Sequence, residues 1–135
     1  MRRSRSIAKG GLRAAFFCLP IFLAPVALGH GDHDPKHGGI IGRSNDEVIV
    51  EMVVEQGVVM LYLDDEQEQP IPTENVKGTL TLVPVQRPRQ TVALVPASGN
   101  KLAAPGLKPV RGDSLRAHFR LPNGDEVTSA FLFSR

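Results

Sequence analysis

From residue 48 onward, hydrophobic and polar positions alternate in short runs, the pattern produced by β-strands with one buried face. Residues 48–55 are rich in valine and isoleucine and place Glu51 and Glu55 on the same face of a strand. Positions 56–57 carry Gln-Gly, which predicts a tight hairpin turn, and residues 58–63 then return as a second strand. The pattern therefore predicts an antiparallel pair of strands at the start of a β domain.

Further strand-like runs follow at regular spacing, at residues 78–83, 91–95, 114–121 and 127–133. Residues 102–110 contain two prolines, which donate no ladder hydrogen bond, so this stretch can form at most an edge strand. No segment shows a sustained helical period. We therefore predict an all-β fold, a single small Ig-like β-sandwich of about seven strands over residues 46–135, preceded by a flexible histidine-rich arm.

Residues 1–29 have the features of a cleavable secretory signal peptide. Five basic residues and no acidic ones accompany an apolar run at positions 14–28, which has 15 residues, whereas a membrane-spanning helix needs about 20. A small-x-small cleavage site at positions 27–29 leaves His30 as the first exported residue. Export to the periplasm is therefore predicted, against the alternative of an uncleaved membrane anchor.

Removal of this leader changes the charge of the protein. The whole chain has 16 Lys and Arg residues and 14 Asp and Glu residues, and five of the basic residues lie in the leader. The 11 basic and 14 acidic residues that remain argue against nucleic-acid binding and mildly favour cations. The single cysteine, Cys18, lies in the leader, so the exported part has no disulfide and depends on its apolar core.

Residues 30–45 form a glycine-rich arm that holds three of the four histidines of the chain. Imidazole nitrogen is a common ligand of copper and zinc, and a carboxylate or water can complete the coordination shell. Glycine allows such an arm to fold around an ion at an entropic cost. The arm is predicted to bind a copper or zinc ion, against the alternative of a solvated, disordered linker. The candidate ligands in the arm are His30, His33, His37 and Asp32.

The fourth histidine, His118, lies on the polar face of a predicted strand, between Arg116 and Arg120. It is a candidate additional ligand if the arm reaches it, although an exposed surface histidine is the simpler interpretation. Catalysis has little support, because the chain lacks a nucleophile elbow, a His-Glu-x-x-His motif and a phosphate-binding glycine loop. We therefore predict a binding protein and not an enzyme, with no small-molecule substrate.

Several short motifs occur in a characteristic order after the leader. Histidine-rich residues lead into His37-Gly38-Gly39, a Val/Glu strand ends near Glu55, and Leu-Tyr-Leu-Asp-Asp at 61–65 precedes Pro-Ile-Pro at 70–72. This order resembles the small β-sandwich metal-binding domain at the N-terminus of periplasmic adaptor subunits of heavy-metal efflux pumps of the resistance–nodulation–division type. The hairpin and barrel regions of those adaptors have no counterpart here, so the chain resembles that domain alone.

The resemblance implies binding of copper, zinc or related ions in the periplasm and their transfer to a metal efflux system. His37 matches the histidine before the double glycine of that family, and Tyr62 and Asp64 match its Tyr-x-Asp element, which we interpret as structural. The sequence thus predicts a periplasmic heavy-metal-binding protein, a metallochaperone or an accessory to metal efflux, with periplasmic efflux subunits as partners. The alternative is a non-catalytic protein-interaction module of the cell envelope whose arm is a disordered linker.

Overall fold

A computed structural model describes residues 33–45 and 47–134. The predicted signal peptide and the candidate ligands His30 and Asp32 lie outside these described residues. The described chain forms ten β-strands and contains no helix with the length and hydropathy needed to cross a membrane. The strands are β1 (Ile40–Ile41), β2 (Arg43–Ser44), β3 (Ile49–Glu55), β4 (Val58–Asp64), β5 (Lys77–Val83), β6 (Gln90–Ala93), β7 (Val95–Pro96), β8 (Lys101–Ala104), β9 (Ser114–Arg120) and β10 (Glu126–Leu132).

The strands form two antiparallel five-stranded sheets that pack face to face. The first sheet has the order β1-β3-β4-β8-β7 and the second has the order β2-β10-β9-β5-β6. Seven of the ten strands have four or more residues, and the other three have two. The prediction of an all-β sandwich with about seven substantial strands is confirmed.

The core lies between the sheets and is built from alternate residues of each long strand, as a pleated strand requires. Leu115, Ala117 and Phe119 of β9 are buried, whereas the residues between them are exposed. On β3 and β4 the inward residues include Met52 and Leu61, which are also buried. Because successive side chains point to opposite faces, each sheet keeps an outer face on which chemistry can be placed.

Two of the points at which the chain passes from one sheet to the other, between β1 and β2 and between β6 and β7, are not revealed by the hydrophobic pattern. Between β1 and β2, Gly42 donates a backbone hydrogen bond to the carbonyl of Val50 at 2.9 Å, and a Cβ there would clash with Ser129 and Phe131. The strand predicted at residues 91–95 is divided in the structure, because β6 pairs in the second sheet and β7 pairs in the first. Buried Leu94 lies at this crossing.

The prediction that residues 102–110 form at most an edge strand is wrong for their first part. In the structure β8 lies between β4 and β7 and pairs with both. The physical reason is that β8 ends at Ala104, one residue before Pro105, so no proline interrupts either ladder.

Candidate functional site

A buried carboxylate on the outer face of the first sheet holds the arm against β3. Glu51 lies in the middle of β3 and is only 4% exposed. Its carboxylate accepts hydrogen bonds from the backbone N–H groups of Lys36 at 3.1 Å, His37 at 2.8 Å and Gly39 at 2.8 Å. A buried charge needs such compensation, since an unpaired one costs several kcal/mol. The arm is therefore a docked element at residues 36–39.

The two glycines of the arm have different roles in this docking. Gly38 has a φ of +70°, a left-handed conformation that turns the chain so that the neighbouring N–H groups face Glu51. Gly39 instead lies directly against β3, where a Cβ would clash with the carbonyl oxygen of Met52 and approach Val53 Cγ2 to 2.7 Å. One glycine is needed for its backbone conformation and the other for its lack of a side chain.

The ring of His37 is fixed on two sides. Its Nδ1 lies 2.8 Å from Glu51 Oε2, and its ring stacks on Tyr62 with centroids 3.7 Å apart and an interplanar angle of 14°. An ionised carboxylate only accepts hydrogen bonds, so Nδ1 carries a proton, and in the neutral ring the lone pair is on Nε2. The His37 side chain is 38% exposed, so the ring is both oriented and accessible.

The charge of Glu51 follows from opposing effects. Burial by itself raises the pKa of this carboxyl, but hydrogen bonds from the His37 ring and from the Gly39 and His37 backbone outweigh it. The pKa of Glu51 therefore lies below its usual range, and the group is ionised at neutral pH. An ionised Glu51 makes the His37 ring a better electron-pair donor at Nε2.

Tyr62 completes the support of the imidazole ring. It lies on β4 directly opposite Glu51, and its hydroxyl donates a hydrogen bond to Glu55 Oε1. That hydrogen bond, then partial burial and the negative charges of Glu55 and Glu51, raise the pKa of Tyr62 to about 12. The raised value means that the contribution of neutral Tyr62 to folding is complete below its ordinary pKa near 10 and is lost as the pH rises through about 12.

Because Tyr62 is the only tyrosine of a chain without tryptophan, this pKa can be measured directly. We expect the near-ultraviolet absorbance of tyrosinate to titrate at about 12 in the native protein. Glu55→Gln removes both the charged acceptor and one negative charge, so the midpoint is expected to move back toward about 10. Glu126→Gln, on the other sheet, is the control and should leave the midpoint unchanged. An unshifted midpoint in Glu55→Gln would contradict the assigned hydrogen bond.

A second anchor holds the arm at Lys36. Its ammonium Nζ lies 2.8 Å from Asp64 Oδ2 and donates to the backbone carbonyl of Glu68 at 2.8 Å. The hydrogen bond to Asp64 is the main cause that raises the pKa of Lys36 above its ordinary value. Asp64 is itself held by Asn100 Nδ2 at 3.1 Å. The arm is thus attached to β3 through Glu51 and to the β4–β5 loop through Lys36.

A small solvent-open recess lies between the arm and the first sheet. Its polar lining includes His33, Lys36 and the four acidic residues Asp34, Glu51, Asp64 and Glu68. His33 Nδ1 lies 3.5 Å from Glu68 Oε1. The acidic residues outnumber the basic groups in this recess, so its potential favours a cation.

The structure separates the candidate ligands of the sequence into two groups. His33 and His37 both lie on the arm beside the first sheet. His118 lies on the outer face of the second sheet, where its Nε2 is 3.7 Å from Glu126 Oε2. The described residues thus do not bring His118 to the arm. Within residues 33–45 and 47–134, no three His, Cys, Asp or Glu side chains are grouped closely enough to form a metal site.

Glu51 is the site residue that the sequence pattern did not identify as important. Its signal is a single acidic residue in the middle of a valine-rich run, opposite a tyrosine on the return strand. From the sequence alone, such a residue is interpreted as part of a solvent-exposed strand face, because no neighbouring residue indicates that the arm covers it.

Comparison of the chain with protein-family models, with curated proteins and with solved structures found no significant match. The resemblance to the adaptor domain therefore stays a prediction.

Proposed function

We propose that this protein binds a copper or zinc ion through the arm, with His37 Nε2 as the anchored ligand. The observation that supports the proposal best is the 2.8 Å contact between His37 Nδ1 and the buried carboxylate of Glu51. Histidines that bind metals commonly donate their other ring N–H to a carboxylate, which fixes the tautomer and raises the basicity of the ligand. Tyr62 then limits rotation of the ring.

The remaining ligands come from the same arm. His33 lies four residues before His37, and its side chain is about one-third exposed at 32%, so it can approach the ion. His30 and Asp32 precede it in sequence and supply further imidazole and carboxylate groups. Both copper and zinc accept this mixture of nitrogen and oxygen ligands. A site that is completed only when the arm folds around the ion is suited to reversible loading and transfer.

The cellular role that we propose is that of a periplasmic metal carrier or accessory to metal efflux. The predicted signal peptide and the absence of cysteine after it support export to an oxidising compartment. Transfer of the ion to periplasmic subunits of an efflux system is suggested by the family resemblance. The chain carries no nucleophile elbow, His-Glu-x-x-His motif or phosphate-binding glycine loop, and the role that we propose is therefore binding.

Calorimetric titration with Cu(II) and Zn(II) tests the metal site. We expect the wild-type protein to bind at least about tenfold more tightly than a variant carrying His30→Ala, His33→Ala and His37→Ala. His118→Ala is the control and should bind as the wild type does, because His118 lies on the other sheet. The fluorescence of Tyr62, which stacks on His37, should change on loading with Cu(II).

Equal affinities of the wild type and the triple variant would overturn the proposal. Loss of binding in His118→Ala would overturn the assignment of the ligands to the arm. If the wild type binds neither metal, the arm is a structural attachment, and the alternative of a non-catalytic interaction module becomes the better interpretation. Circular dichroism of each variant shows whether the sandwich is intact.

A further inference from the structure

The outer face of the second sheet carries basic side chains from the three strands β2, β5 and β9. Arg116, His118 and Arg120 alternate along β9 and all point outward, because Leu115, Ala117 and Phe119 face the core. Alternate residues of a strand are about 7 Å apart, so the three groups form a row. The members of this basic face are Arg43, Lys77, Arg116, His118 and Arg120, and all five residues are exposed.

The basic face has more basic than acidic side chains. Lys77 lies directly opposite Arg120 across the β5–β9 ladder, and Arg43 lies beside Ala130, whose other neighbour is Arg116. Glu126 contacts Arg120 at 2.6 Å and His118 at 3.7 Å. In the part of the chain that the structure describes, Arg43, Lys77 and Arg116 form no ion pair. Like charges directly opposite each other destabilise a sheet, so this arrangement costs stability.

An apolar lip borders the basic face at one end of the sandwich. Leu132 is 60% exposed and lies on the same outer face, opposite Ser114. Val85 and Val110 are 79% and 52% exposed and lie in the loops that meet at this end. The two loops are joined by Asp113, which is buried and accepts hydrogen bonds from the Arg87 guanidinium and from the backbone N–H of Val110. The exposed aliphatic residues are thus held in place.

We propose that the basic face docks on the surface of an anionic lipid bilayer, with the apolar lip entering the headgroup region. A sheet face with spaced cations is complementary to a surface of lipid phosphates, and each basic residue near such a surface strengthens binding. Exposed aliphatic residues at one end add burial in the interface. The residues between the cations are mainly threonine and alanine, such as Thr79, Thr81 and Ala130, whose side chains are shorter than those of the cations.

The docking orients the molecule. The exported part carries more acidic than basic residues, so an anionic surface repels the molecule as a whole and attracts it through the basic face. The acidic recess and the arm lie on the outer face of the other sheet. A protein held in this way presents His37 to the aqueous phase. The docking does not depend on metal binding, because the two sites share no residue.

Vesicle co-sedimentation of the protein recovered after export tests the proposal. We expect binding to phosphatidylcholine vesicles that contain about one-third phosphatidylglycerol, weakening as the salt concentration rises, and little binding to phosphatidylcholine alone. Each neutralised cation should lower the partition coefficient about fivefold, so a variant with Lys77→Thr and Arg116→Thr should bind about 25-fold more weakly. Lys101→Thr, on the outer face of the first sheet, is the matched control and should bind like the wild type.

Two further measurements distinguish docking on the bilayer from nonspecific adsorption and from the effects of unfolding. The double variant should be at least as stable as the wild type, because Lys77 no longer faces Arg120. Leu132→Ser should weaken the part of binding that persists at high salt. Equal binding of the double variant and the wild type, or equal binding to neutral and anionic vesicles, would overturn the proposal. Full competition by soluble glycerol phosphate would overturn it in favour of a free-anion site.

Discussion

Replacement of Glu51 by glutamine is expected to lower the affinity for Cu(II) or Zn(II) by about 10- to 100-fold and the free energy of unfolding by about 3 kcal/mol. Glutamine keeps the shape of the side chain but loses the negative charge that holds three backbone N–H groups and the His37 ring. Its amide N–H₂ end also faces donors and repels them. The arm should therefore detach from β3, and His37 Nε2 should lose its fixed position.

The two effects of Glu51→Gln are measured separately. Urea unfolding followed by circular dichroism reports the stability, and calorimetry reports the metal affinity. Glu55→Gln is the matched control. Glu55 lies on the same face of β3 as Glu51, and its side chain contacts Tyr62 but not the backbone of the arm. We expect it to cost less than about 1 kcal/mol. If Glu51→Gln lowers stability and leaves metal affinity unchanged, Glu51 is a structural anchor and the metal proposal loses its main support.

The charge of Glu51 also predicts how the docked arm responds to acid. The pKa of Glu51 is lower in the folded protein than its usual value, so its contribution to stability is complete above that usual value. The contribution is lost as the pH falls through the lower, folded-state pKa. Acid should therefore release the arm at a pH at which exposed carboxylates are already protonated, and Tyr62 fluorescence should report the release through the His37 stack.

Replacement of Gly39 by alanine is expected to lower the free energy of unfolding by about 3 kcal/mol. The added methyl group would clash with the Met52 carbonyl oxygen and lie 2.7 Å from Val53 Cγ2. The first of these is backbone in the middle of a sheet and cannot move aside. The arm would have to shift outward, which breaks the hydrogen bond from the Gly39 N–H to Glu51.

The neighbouring glycine provides the control for this substitution. A Cβ on Gly38 meets nothing within 4 Å, so Gly38→Ala costs only the strain of a left-handed conformation, about 1 kcal/mol. Chemical unfolding of both variants measures the difference. If the two alanine variants are equally destabilised, backbone conformation alone explains the double glycine and the close approach to β3 is unimportant.

Much of the fold could be read from the sequence because side-chain direction alternates along a strand. The buried and exposed residues of β9 follow the alternation of Leu115, Ala117 and Phe119 with polar residues, and β5 and β10 behave in the same way. The pairing of β3 with β4 followed from the short turn between them. These features depend on residues that are close together in the chain.

The sheet changes at Gly42 and Leu94 could not be read in this way. A strand that leaves one sheet for the other keeps an ordinary local sequence, and only its partners reveal the change. The position of β8 was misjudged for a related reason, since β4, one of its two neighbours, comes from a distant part of the chain.

The same distinction between local sequence and long-range contacts applies to the candidate site. The sequence by itself determined the histidine cluster, the double glycine after His37 and the outer-face position of Glu51, because composition and strand periodicity are local properties. Only the tertiary structure decided that the arm covers Glu51, that Tyr62 stacks on His37 and that His118 belongs to a basic face on the other sheet. Those outcomes depend on contacts between segments far apart in the chain, and the free energy of such contacts is set by packing and desolvation in the folded state.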